Sequence, residues 1–141
     1  MPNVTLIRSD YLAPSPGYAY ASSISAGARL LHLAGACPLD SHGRVVRFGD
    51  FASQAATCVD NMLVALAAAG GSLSDIAYTR VLVASSSRDD LAAVWAVVRD
   101  AFADHEVPST LIGVSVLGSA NQLVAIEAVA AVDQYPPSMA R

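Results

Sequence analysis

The sequence contains no lysine; all eight basic residues are arginines. A lysine Schiff base is therefore excluded, and with it pyridoxal-phosphate and class I aldolase chemistry. A phosphate-binding Walker A loop is excluded for the same reason. Only two glutamates occur, Glu106 and Glu127, and charged residues make up 14% of the chain, where about 25% is usual. The three histidines, His32, His42 and His105, never stand four apart, so no helical zinc pair exists. Cys37 and Cys58 form no C-x-x-C pair, and no metal site or cofactor is expected. The apolar runs near Met62–Ala69 and Leu123–Val132 are far short of the ~20 residues that cross a bilayer.

What is present is apolar. Hydrophobic residues make up 54% of 141, enough for one domain with a substantial core, and we read 1–141 as a single unit. So little charge implies that part of the surface is covered, most simply by copies of the same chain. A net charge of −4 argues against a nucleic-acid-binding face. The start of the chain lacks the pattern of a signal peptide. With two unpaired thiols, this leads us to expect a cytoplasmic protein.

Periodicity and punctuation predict the order βββαβαββ. Strands are expected over 3–8, 18–25 and 29–35, with Ala26-Gly27 as a hairpin turn. Asp50 is a candidate N-cap for a helix over 51–69, where Phe51, Ala55, Cys58, Met62, Leu66 and Ala69 recur at helical spacing, and Gly70-Gly71 end it. A strand over 76–84 precedes a helix over 88–103, opened by a Ser87/Asp90 capping box, with Leu91, Val94, Trp95, Val98 and Phe102 on its core face. Strands over 110–117 and 122–132 follow, joined through residues 118–121, and the tail 133–141 is expected to be loose. The class is α+β, a mixed sheet with two helices on one face. Several strands are apolar at nearly every position. The face without helices is therefore expected to be covered by subunit contacts.

Glu127 is the most informative residue. In the run 123–132 it shares a strand face with Leu123, Ala125, Val129 and Ala131, where a carboxylate is costly to bury unless paired or protonated. One reading is a proton-handling group; the other is a structural glutamate paired with an arginine such as Arg80. Cys37, at a strand end, is either a nucleophile or a small apolar filler. Ser109 and Thr110 either bind a small polar ligand or cap the strand start. Tyr18 and Tyr20 line a pocket or cover an interface. Gln54 and Asn61 are expected to bond backbone, His105 to sit at a helix C-terminus, and Trp95 to be core.

Taken together, Gly17-Tyr18, residues 33–40 (LAGACPLD) with Gly43, Gln54 and Asn61, Ala69-Gly70 with Leu73 and Asp75, and residues 126–130 (IEAVA) resemble the Rid/YjgF family of enamine/imine deaminases. The resemblance covers about residues 14–132. It implies a chorismate-mutase-like fold and a homotrimer with pockets between subunits. It also implies hydrolysis of a small imino or enamino acid to its keto acid and ammonia. It places the water-handling glutamate at Glu127, a pocket tyrosine at Tyr18 and ligand-binding amides at Ala34-Gly35. We also assign Cys37, Ser109 and Thr110 to the pocket. Deaminating members carry a Pro-Ala-Arg motif whose arginine grips the substrate carboxylate; here that position is Ser109. A hydroxyl cannot replace a bidentate guanidinium, so an altered substrate is expected, a neutral imine, enamine or carbamate. Arg80 is a candidate substitute cation. The alternative functions are a non-catalytic trimeric metabolite-binding or chaperone-like protein and, least favoured by the charge, a ribonuclease.

Overall fold

The computed structural model describes residues 2–134; the tail expected to be loose lies mainly outside them. Its strands are β1 (Val4–Ile7), β2 (Ala21–Ile24), β3 (Arg29–Ala36), β4 (Ile76–Val83), β5 (Ser109–Gly113) and β6 (Val124–Val132). The helices are α1 (Phe51–Ala68) and α2 (Arg88–Phe102), and a 3-10 turn over Leu73–Asp75 leads into β4. The predicted order is present.

The main sheet runs β3-β6-β4-β5. β6 is antiparallel to both neighbours, whereas β4 and β5 are parallel. β3 therefore also runs parallel to β4, with β6 between them. The connections through α1 and α2 step in the same direction across the sheet, and crossovers of one hand then place both helices on one face. Leu66, Met62, Cys58 and Ala55 of α1 and Val94 and Val98 of α2 pack there against Val81, Val83, Val124 and Ile126.

Several local expectations are corrected by pairing. Ala26-Gly27 is a turn, but β2 pairs with β1, forming a separate two-stranded ribbon. Val4 of this ribbon joins Ala77 and Ala131 in a second small core. The two strands expected to be joined through residues 118–121 are not neighbours, because β4 lies between β5 and β6. β5 also ends at Gly113, four residues before the expected end.

The α1 termini follow the sequence. Asp50 accepts from the Ser53 amide at 2.9 Å and the Ser53 hydroxyl at 2.8 Å. At the other end the Gly71 amide reaches Leu66 O, the Gly70 amide reaches Ala67 O, and Gly70 takes φ +90°, the left-handed geometry that suits glycine. The Ser87/Asp90 box does not form, because Asp90 accepts instead from Ser85 Oγ. Hydrogen bonds from the Ser53 backbone and hydroxyl hold the Asp50 carboxyl below its ordinary 3.8. A depressed pKa means that its stabilisation is present above about 3.8 and is lost as pH falls through the folded-state value. The stability difference between wild type and Asp50→Ala should therefore shrink in acid denaturation series below that pH. A constant difference would show that the carboxylate is not the cap.

Candidate active site on the open sheet face

Strand alternation decides which side chains meet. Arg80 stands opposite Glu127 on β6 and opposite Thr110 on β5. On the other flank the register of β3 against β6 slips between Leu33 and Ala36, a bulge that sets Ala34-Gly35 beside Glu127. A Cβ on Gly35 would lie 3.8 Å from Glu127 Cγ, so the bulge leaves bare backbone next to the carboxylate. Gly35, Glu127, Arg80 and Thr110 thus form a row across the face opposite the helices.

The Glu127 side chain is 42% exposed and its Oε1 lies 2.9 Å from Arg80 Nε, with Arg80 48% exposed. The apolar surroundings expected from the strand are therefore incomplete: this face is open, and the paired arrangement is the one adopted. Such a half-exposed ion pair contributes only about 0.2–1 kcal/mol. It orients the carboxylate more than it stabilises the fold. Thr110 Oγ1 accepts from Tyr78 OH at 2.9 Å on the same face. Nearby Leu30 and His32 are exposed.

The remaining assigned residues lie elsewhere. Ser109 points to the helix side, where its hydroxyl meets Thr79 Oγ1 at 2.7 Å and donates to Val107 O at 3.2 Å. It lines a cleft with Pro16, Tyr18, Trp95 and Leu111. Within one chain, Glu127 and Ser109 therefore occupy opposite faces of the sheet. Tyr18 and Tyr20 precede β2 and meet edge to face, and Trp95, expected to be core, packs edge-on against Tyr18. Trp95 and Leu111 escaped the reading of the sequence as cleft residues. The available hint was that tryptophan is too large to be buried completely in most settings.

Cys37 lies in a hollow that it shares with Gly35, Leu39, Asp40 and Asn61. Its thiol donates to Gly35 O at 3.3 Å. As expected, Asn61 bonds backbone, the carbonyls of Cys37 and Leu39, and Gln54 does likewise, described below. His105 sits just past the C-terminus of α2, as expected; its Nε2 lies 2.7 Å from Ile76 O and its ring stacks on Phe102. Cys58 is buried, and desolvation pushes its thiol up to about 12. An aromatic disulfide reagent should label Cys37 in the native protein and Cys58 only after denaturant is added. Simultaneous labelling of both would contradict the packing of α1 on β6. Among the described residues there is no cluster of three or more His, Cys, Asp or Glu that could hold a metal ion.

Two helices on one face of a mixed sheet, with a glutamate–arginine pair on the other, define an α+β domain of the YjgF/chorismate-mutase-like type. Residues 11–132 match the Endoribonuclease L-PSP family, and the chain belongs to that family, the Rid/YjgF proteins. Its members are small-metabolite deaminase/hydrolase-like or endoribonuclease-like. A Rid-family protein from Yersinia pestis is 28% identical, with a TM-score of 0.85 over 92% of this chain and 99% of that one. A YjgF-family protein from Mycobacterium tuberculosis is also 28% identical, with a TM-score of 0.62 over 92% and 99%. RidA from an Antarctic Psychrobacter species, 21% identical with a TM-score of 0.66 over 85% and 92%, shares the fold. A search among curated proteins gave no significant match.

Proposed function

We propose that this protein hydrolyses a C–N bond of a small imine, enamine or related metabolite, with Glu127 as the proton-handling group. The observation that carries this reading is the Glu127 carboxylate itself. It is half-exposed on an otherwise apolar strand, oriented by Arg80 and flanked by the bare backbone at Gly35.

In the proposed reaction Glu127 takes a proton from water as the oxygen attacks the imine carbon. The C=N π pair moves to nitrogen, which takes that proton back from the protonated Glu127 and gives the neutral carbinolamine. Glu127 then takes the carbinolamine hydroxyl proton and passes it to nitrogen, so that the oxygen lone pair re-forms the carbonyl group as the C–N bond breaks with its pair on the departing nitrogen. Imine and water give carbonyl compound and amine or ammonia, and Glu127 ends as the carboxylate. Thr110 and the amides at Ala34-Gly35 are suited to hold polar atoms of the substrate on this face. We further propose that copies of the chain cover the open face as a homotrimer. Tyr18 and Ser109 of one copy would then complete the pocket around Glu127 of another.

The test is release of ammonia and carbonyl product from freshly generated 2-iminobutyrate and from uncharged imines, with and without protein. Acceleration above the spontaneous rate for any of them supports the reading. No acceleration across both sets favours a metabolite-binding role without catalysis.

A further inference from the structure

The cleft on the helix side has a chemistry of its own. It encloses about 300 Å³ between Pro16, Tyr18, Trp95, Ser109 and Leu111. None of these five carries a charge. The rings of Tyr18 and Trp95 are 6.2 Å apart at 75°, so they form two adjoining walls rather than filling the space by stacking on each other. Both side chains remain partly exposed.

The walls are fixed from behind. The Trp95 indole N–H donates to Pro16 O at 3.3 Å, which sets the ring plane. The Tyr18 carbonyl accepts from Arg8 Nη1 at 3.1 Å and from Ser15 Oγ, which pins the loop bearing the second wall. Gly17, at φ +86°, lets that loop lie against Arg99: a Cβ there would come within 2.6 Å of Arg99 Cγ. Arg99 thereby serves as an apolar stem beneath the loop, while its guanidinium reaches Asp100 at 3.4 Å. At the floor, the Ser109 hydroxyl donates to a carbonyl and meets Thr79, leaving a short, already engaged polar group. Preformed, uncharged, aromatic-walled clefts favour ligands whose faces match their walls.

We propose that this cleft is the specificity site of the protein and takes a planar, uncharged, unsaturated group, so that the substrate is an imine or enamine bearing an aryl or comparable conjugated side group. The substrate part of this inference rests on the hydrolase reading above; the binding part stands without it.

Trp95 is the single tryptophan of the chain, so its indole N–H resonance reports on the cleft alone. The experiment titrates the full-length protein with benzamide, benzoate and acetamide, following that resonance by ¹H–¹⁵N NMR. Benzamide should shift it saturably and bind about tenfold tighter than acetamide, which lacks the ring, the scale of one to two aromatic contacts. Benzoate should bind more weakly than benzamide, since no cation lines the cleft. Tyr18→Leu keeps apolar volume but removes one wall, and it should lower benzamide affinity by a similar factor. Saturable shifts of equal affinity for benzamide and acetamide, tighter binding of benzoate, no shift at all, or unchanged affinity in Tyr18→Leu would each overturn the proposal. Parallel ammonia-release assays separate the two readings. Benzamide binding without turnover of any imine removes the hydrolase and keeps the cleft as a binding site. Turnover of 2-iminobutyrate without benzamide binding removes the cleft assignment and keeps the hydrolase.

Discussion

Replacing Glu127 by glutamine should lower turnover of a C–N substrate by a factor of about 10²–10⁴, the usual contribution of a positioned general base. Glutamine has nearly the same shape but accepts no proton from water, so ligand affinity should change little. The fold should also survive. The Glu127 side chain is 42% exposed, and its contact with Arg80 is a half-solvated ion pair whose loss costs about 0.2–1 kcal/mol. A variant that binds ligand, melts near the wild type and no longer releases ammonia would identify the carboxylate as the chemical group. Full activity in Glu127→Gln would exclude the proposed role, and the water would then have to be activated elsewhere. Arg80→Ala serves as the companion measurement. Arg80 touches Glu127 and holds its orientation, so its loss should reduce turnover by less than the loss of the carboxylate.

The largest effect on stability is expected at Gln54, which is fully buried near the start of α1. Its amide nitrogen donates to Asn121 O at 3.0 Å and lies 3.4 Å from Arg47 O, and its oxygen accepts from the Leu123 amide at 2.8 Å. One side chain thus satisfies backbone groups of two irregular segments, the approach to α1 and the long connection into β6. Asn121 and Arg47 both have positive φ, a conformation open to asparagine but uncommon for arginine. Gln54→Ala would remove the partner of the Leu123 amide and of the Asn121 carbonyl and leave a cavity at a fully buried position, at a cost of about 2–5 kcal/mol. That is a large share of the stability of a domain of this size, usually about 5–15 kcal/mol. Gln54→Leu would fill the volume but leave the same polar groups unpaired, so it should remain strongly destabilised. Denaturant unfolding of the three proteins checks this. A loss below about 1 kcal/mol in both variants would mean that water replaces the side chain, and that the connection is not held by it.

Much of this architecture is carried by short-range signals. The apolar repeat of α1, its Asp50 cap and its Gly70-Gly71 stop depend only on residues within a few positions of one another, and all three are present. The backbone-bonding roles of Gln54 and Asn61 were legible for a similar reason: an amide on the buried side of a helix must find partners. Glu127 stood out because a carboxylate in an apolar strand needs an explanation wherever the strand lies. By contrast, the hairpin expected at Ala26-Gly27 failed because a turn fixes a change of direction and not the identity of the pairing strand. The Ser87/Asp90 box failed because Ser85, two residues upstream, offers Asp90 a competing donor.

The sequence by itself determined the two helices, the class and the residue around which a site is built. Only the tertiary structure decided that β6 inserts between β3 and β4, and everything about the site follows from that insertion. It brings Arg80 opposite Glu127, although 47 positions separate them in the chain. The parallel pairing of β5 with β4 in turn assigns Thr110 to the Glu127 face and Ser109 to the aromatic cleft. The physical reason is that helix and turn signals are local, while strand order is set by the joint burial of faces from distant segments. No single segment carries that information.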